Sequence, residues 1–326
     1  MKLFCFAMAV SLAAFAASGG VRKIPPGSDE KKSFAVDFGA SAGLFVGVRD
    51  FEDENLTPVK YAVDDAVDLA YELAIEHRPP LLEPKRVALV LSGAPQKPES
   101  QESLRKLKDA GASESYARQS EILKLLRSQS KAVGRNGLLI IAFATHGISE
   151  DGTQYLFAAT SLLDYRETML SEARISDVIA SNGVERSLVL IDACRERLTR
   201  DRRTGDLDPR SVAGFMNTLS DIDGQVVLSA AALGGYAYDD DTRRNGVFTA
   251  AVIDGLRCGA ATDDNGFVTV DALSSYVEDH VLDWIRKNKN AEARRATQLL
   301  CDGRSKAMPL TICVNHTAPA SPSPAE

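Results

Sequence analysis

The 326-residue chain has little cysteine. Five residues cannot supply the dense disulfide framework of a small secreted scaffold, so the fold must rest on a packed core. There is no C-x-x-C pair, no Gly-rich phosphate loop and no Gly-x-Ser-x-Gly elbow, which removes zinc-ribbon, nucleotide-binding and serine-hydrolase readings. Basic excess is also lacking: the formal net charge is −7, and no nucleic-acid partner is expected. The apolar run Leu3–Ala17 falls short of the roughly 20 residues that span a bilayer, so no stable membrane anchor is expected. With 44% hydrophobic and 25% charged residues, the rest matches a soluble globular protein and excludes collagen-like, coiled-coil and largely disordered chains.

The two ends differ from the middle. Lys2, the apolar core and the small residues Ala14 and Ala16 in A-x-A register read as a signal peptide over 1–17, implying a secreted or periplasmic protein. Cys5 lies inside that core rather than after it, so no lipid attachment is implied. Residues 18–36 read as a linker, polar and Pro-containing from Val21 to Lys32. The Pro/Ser/Ala-rich tail 315–326 is expected to be disordered; its Asn315-His316-Thr317 sequon carries little weight.

Between them, apolar runs alternate with helical periodicity. Gly43–Arg49, Arg86–Leu91, Gly137–Ala144, Tyr155–Ala159, Ser187–Ile191 and Val226–Ala230 read as strands, with Pro309–Val314 as a closing edge strand. Helices are predicted over Tyr61–Glu76, Ser103–Asp109, Glu114–Ser130, Ile175–Ser181, Val247–Leu256 and Val270–Arg286. Alternation of this kind implies an α/β fold: a mostly parallel central sheet with helices on both faces, a three-layer sandwich. In such sheets chemistry gathers at the carboxyl ends of the strands.

Two predicted strands end in reactive side chains. LLIIAFAT runs into His146-Gly147, and SLVLI runs into Asp192-Ala193-Cys194-Arg195. In a parallel sheet both ends lie on one edge, where an imidazole can take the proton of a thiol. The N–H groups of Gly147 and Cys194 are candidates for an oxyanion hole.

With its His 48 residues before its Cys, the sequence resembles the caspase-like cysteine peptidases, a group that includes caspases, metacaspases and bacterial orthocaspases. Asp192-Ala193-Cys194-Arg195-Glu196 meets the Q-A-C-[RQG]-G signature in part and suits the metacaspase form, with an acidic residue two before the Cys, better. Leu44–Asp50 with Tyr61–Ala70, Thr145-His146-Gly147, and VVLSAA followed by Asn245-Gly246-Val247-Phe248-Thr249 are similar to the family's first strand and helix, His-Gly motif and small-subunit region. The resemblance implies a peptidase domain over 37–314, with a large part to about 194, a loop 195–224 and a small part 225–314. It implies His146 and Cys194 as catalytic residues and a peptide or protein substrate. It also implies an S1 pocket for Arg or Lys made by Asp65 and Asp192, which a guanidinium can meet bidentately. Ala144 departs from the family's frequent Ser at that position, and first-turn acidity on a helix is a competing account of Asp64 and Asp65.

Other features are weaker. Arg195–Arg210 holds six arginines, and Arg203 and Arg210 are candidate autocleavage sites; a solvated loop paired with its own acids is the competing reading. Asp263-Asp264-Asn265-Gly266 fails as an EF-hand, since loop positions 1 and 12 are Ala261 and Ala272, and reads as a turn before the helix from Val270. Asp239-Asp240-Asp241 reads as an exposed acidic loop, and His77, His280 and His316 as structural or exposed. No metal ligands or cofactor are assigned; calcium activation, known in some family members, has no mapped site. Cys258, Cys301 and Cys313 allow one disulfide, with the pair left open. The rivals to a basic-P1 endopeptidase are a catalytically silent binding module on the same fold, an Asp-specific caspase-like peptidase, and a cysteine hydrolase of non-peptide amides. The oligomeric state is open.

Overall fold

The apolar runs become strands covered on both faces. A computed structural model of the chain describes residues 37–150, 153–194, 224–230, 237–263, 266–289, 300–302 and 307–313. The expected signal peptide, linker and tail lie outside these residues, as does 195–223 with Arg203 and Arg210. In chain order the elements are β1 (Ala42–Val48), α1 (Ala62–Tyr71), β2 (Val87–Ser92), α2 (Pro98–Asp109), β3 (Ser113–Tyr116), α3 (Gln119–Ala132), β4 (Leu139–Glu150), β5 (Thr153–Leu156), β6 (Leu170–Ser171), α4 (Glu172–Ser181), β7 (Ser187–Cys194), β8 (Gln225–Ser229), β9 (Asp239–Asp240), β10 (Asn245–Gly246), α5 (Val247–Asp254), β11 (Phe267–Thr269), α6 (Val270–Asn288), β12 (Leu300–Asp302) and β13 (Pro309–Ile312).

The main sheet runs β12-β8-β7-β4-β1-β2-β3. Every pairing along it is parallel except β12 with β8. Every residue of β1, β2 and β8 is buried, as a sheet covered on both faces requires. Alternate side chains feed two apolar layers. One holds Leu69 and Leu73 with Leu107 of α2, Val252 of α5 and Val277 of α6; the other holds Ile122 and Leu126 of α3 with Ile175 and Ile179 of α4. The predicted three-layer α/β sandwich is therefore the observed one. Local signals set the helix starts: Pro98 opens α2, Ser171 Oγ accepts the Arg174 N–H, and Thr269 Oγ1 accepts the Ala272 N–H.

Beyond shifted ends, such as α2 starting at Pro98 and β5 ending at Leu156, and the short strand β9 within the expected acidic loop, three segments differ from the sequence expectation. The helix predicted over 114–130 begins only at Gln119, because Ser113–Tyr116 pairs in parallel with Ala88–Leu91 and completes the sheet edge. Pro309–Ile312 does not border the main sheet. It pairs antiparallel with β11 in a separate two-stranded sheet, tied there by the Cys258–Cys313 disulfide and by the Val270 N–H bond to the Met308 carbonyl. The opposite sheet edge belongs to β12 instead. Asp263 does lead a turn, accepting from Gly266 and Phe267, but β11 stands between that turn and α6.

Candidate active site

Strand order reverses between β1 and β4: the chain steps outward through β2 and β3, then returns to the other side of β1. Such a reversal opens a crevice at the carboxyl ends of the strands. Three chain segments meet there. Backbone register pairs His146 of β4 with Cys194 of β7, on neighbouring parallel strands roughly 4.8 Å apart. The two reactive residues singled out from the sequence are thus adjacent.

The His146 ring is 3% exposed, stacked on Phe51 at 5.2 Å and edge-on to Phe157 at 6.4 Å. Its Nε2 lies 2.7 Å from the Thr57 carbonyl oxygen, in the loop after β1. A carbonyl can only accept, so Nε2 carries a proton, and in the neutral ring Nδ1 is then the acceptor nitrogen. Gly147 sits opposite Leu156 in the β4–β5 ladder. The flanking pair carries the Phe157 N–H bond to the His146 carbonyl, so the Gly147 N–H faces away from β5. A Cβ at Gly147 would meet only ordinary contacts, the nearest at 3.4 Å, so packing alone does not demand glycine there.

Gly47 lets α1 begin directly on β1: a Cβ there would come within 2.5 Å of the Ala62 carbonyl oxygen. The first turn of α1 then sends adjacent carboxylates in different directions. Asp64 accepts the backbone N–H groups of Gln96 and Lys97 at 2.9–3.0 Å, fastening the lead into α2. Asp65 accepts from Asn245 Nδ2 and the Gly246 N–H, each at 2.9 Å. Asp192 accepts from Thr249, through Oγ1 at 2.7 Å and N–H at 3.2 Å.

Asp65 and Asp192 flank Gly246. A Cβ built there would lie 2.3 Å from Asp192 Oδ2 and 3.0 Å from Asp65 Oδ2. The two carboxylates are only 4% and 9% exposed. Burial pushes both upward in pKa, Asp192 to about 6 and Asp65 well above the usual carboxylate range. The neighbouring Asp192 charge raises Asp65 further, and Asp239, paired across the ladder with Gly246, raises both. Beneath the pair lies a cavity of about 10 Å³ whose walls include Leu69, Ala142, Ala144 and Phe248. Glycine at 246 lets both buried carboxylates close on its backbone, and the negative charge gathered there suits a cationic partner.

The remaining candidates stand apart from this centre. Asp241 pairs with Lys60 at 2.6 Å and accepts from Tyr61 Oη at 2.8 Å, while Asp240 accepts from Trp284 Nε1. His77 is buried, with Nε2 2.5 Å from Thr311 Oγ1, and His280 stacks on Tyr276; both are structural. Cys258 pairs with Cys313, with 5.8 Å between their Cα atoms. Among the described residues no group of three or more His, Cys, Asp or Glu is arranged to hold a metal ion, and no helix is long and apolar enough to cross a membrane. Sequence reasoning missed Thr57, which acts through a backbone carbonyl, and assigned no roles to Asn245 and Thr249 although both lie in a motif it singled out.

The sequence profile of the caspase domain, peptidase family C14, matches residues 99–315, two thirds of the chain, including His146, Asp192, Cys194 and Asn245. The chain belongs to the caspase-domain family of cysteine peptidases, whose substrates are proteins. No curated protein matches it in sequence. Among solved structures it is similar to caspase-1 from Spodoptera frugiperda, at 14% identity and TM-score 0.48 over 81% of this chain and 86% of that one. It is also similar to the Drosophila initiator caspase Dronc, at 12% identity and TM-score 0.48 over 92% and 95%.

Proposed function

We propose that the chain is an endopeptidase that cleaves after Arg or Lys, with His146 and Cys194 as its dyad and Asp65 and Asp192 as its S1 carboxylates. The observation that carries this reading is the in-register pairing of His146 with Cys194 beside a buried carboxylate pair. His146 Nδ1 takes the thiol proton while the Thr57 carbonyl holds Nε2–H. The thiolate then attacks the scissile carbonyl carbon, and the N–H groups of Gly147 and Cys194 receive the oxyanion. As the C–N bond breaks, His146 delivers the proton to the leaving amine. Water, deprotonated by His146, hydrolyses the thioester. The P1 cation lies against Asp65 and Asp192, displacing the proton that a close, buried pair retains without it.

A fluorogenic peptide panel on wild type and Cys194→Ala tests this. Cleavage after Arg or Lys that vanishes in the variant is expected. Preferred cleavage after Asp would overturn the S1 assignment, and turnover that survives in Cys194→Ala would overturn the dyad. A folded protein silent on every peptide would favour the binding module.

We also infer that the chain is exported. The 1–17 pattern supports this, and the Cys258–Cys313 bond suits an oxidising compartment. N-terminal sequencing from the native host should find the leader removed; an intact Met1 on cytosolic protein would refute it.

A further inference from the structure

We infer that Lys97 is a positioning residue for the S1 site, acting through Asn245 to orient Asp65. The inference rests on the proposed role of Asp65 in receiving a basic P1 side chain. The Lys97 ammonium can only donate, and it does so to Asn245 Oδ1 at 2.6 Å. This settles which end of the Asn245 amide is which. The Nδ2 end then lies 2.9 Å from Asp65 Oδ1 and 3.0 Å from Asp68 Oδ2, so both donors serve carboxylates. Turned around, the amide would set its oxygen against two carboxylates and its N–H groups against an ammonium.

Lys97 is itself held in place. Its backbone N–H reaches Asp64 at 2.9 Å, and its ammonium pairs with Asp68, which also accepts from Ser100 Oγ at 2.6 Å. Lys97 and Asp68 side chains are only 12% and 16% exposed, so the pair is shielded from screening.

The consequence falls on Asp65. The Asn245 bond is made to Oδ1, while Oδ2 lies against Gly246, whose N–H it accepts at 3.1 Å on the side facing Asp192. The charged and titratable groups around Asp65 include Asp192 on β7, Asp239 on β9, Asp64 and Asp68 on α1 and Lys97 before α2. Of these, Asp192 and Asp239 disfavour an ionised Asp65. The Asn245 amide, which Lys97 orients, and the Gly246 N–H oppose them.

The test is kcat and KM against pH on an Arg peptide. Lys97→Met should raise KM with kcat retained, lowering kcat/KM roughly ten- to hundredfold, the scale of a lost hydrogen bond to a charged group. The acid limb of the profile should move to higher pH. Asn245→Ala, which breaks the relay while leaving the Lys97–Asp68 pair intact, should show the same signature even if Lys97→Met folds poorly. Lys97→Arg, which keeps charge and donors, should recover most of the loss. Ser100→Ala, which removes another bond to Asp68, should behave as wild type. Wild-type KM and acid limb in Lys97→Met and Asn245→Ala, with Arg peptides still preferred, would overturn the relay and leave the S1 assignment standing. A wild type that prefers no Arg or Lys peptide would overturn both.

Discussion

Replacing Asp192 by Asn should move stability and activity in opposite directions. The substitution keeps shape and removes charge. Burial raises Asp192 from an ordinary 3.8 to about 6, so between those values the native state binds more protons than the unfolded chain. Stability attached to this group is fully present below pH 4 and is lost as pH rises through 6. At about 1.4 kcal/mol per pH unit the loss is about 3 kcal/mol by neutral pH. Asparagine avoids it, but its single carbonyl serves the two Thr249 donors less well than a carboxylate, costing about 1 kcal/mol. The net gain at pH 7.5 is about 2 kcal/mol, or roughly 4–8 °C in Tm. The assay is calorimetry at pH 4.5, 6 and 7.5 in a Cys194→Ala background, which prevents self-digestion. The advantage of Asn should grow from pH 4.5 to 6 and then level off, while in the active background kcat/KM for Arg peptides falls at least tenfold. An Asp192→Asn protein less stable than its parent at pH 7.5 would refute the reasoning, because the ionised carboxylate would then be a net structural asset.

Gly246→Ala should abolish cleavage after Arg, since its Cβ would press to 2.3 Å of Asp192 Oδ2 and force the carboxylate aside; retained kcat/KM in the peptide assay would show that this carboxylate does not hold the P1 cation. Glu172, buried and raised to about 8 by that burial, should make Glu172→Gln increasingly stabilising from pH 5 to 8 with a plateau above, read as Tm against pH. Breaking the Cys258–Cys313 bond, which spans 55 residues, should cost about 4 kcal/mol, measured as the denaturation midpoint with and without reductant. Mass spectrometry of incubated wild type beside Cys194→Ala should find cuts at Arg203 or Arg210 only in the active form; an intact, fully active wild-type chain would show that processing is not required.

The core of the fold was legible because Gly137–Ala144 and Ser187–Ile191 are apolar on both faces, a pattern that only a doubly covered strand explains over so short a run. The same property exposed the proposed dyad, since His146 and Cys194 each follow an apolar run, His146 within β4 and Cys194 at the end of β7. β3 was hidden because Ser-Glu-Ser-Tyr has neither an apolar run nor an alternating pattern, and only the open edge of β2 makes it a strand. Asp64 and Asp65 show a further limit. They are adjacent, identical and both buried, yet one fastens the lead into α2 and the other binds Asn245 and Gly246. Their roles separate only once residues 96 and 246 have arrived from distant parts of the chain. Thr57 contributes a carbonyl, which every residue has, so no side-chain pattern could mark it.

A row of contacts leaves α1 and its flanks for the last third of the chain: Tyr61 to Asp241, Asp65 to Asn245 and Gly246, Glu72 to Arg257, and His77 to Thr311. The proposed S1 site is therefore owned jointly. Asp65 and Asp192 lie before Cys194, while the groups that hold them, Asn245, Gly246 and Thr249, lie after it. Expressed as two separate polypeptides divided between β7 and β8, one fragment would carry the carboxylates of the proposed S1 site and the other the groups that hold them, so on this reading neither would recognise a cation alone. Their reunion along this helix would restore recognition and hold the fragments together at once, making the divided protein a detector of its own assembly.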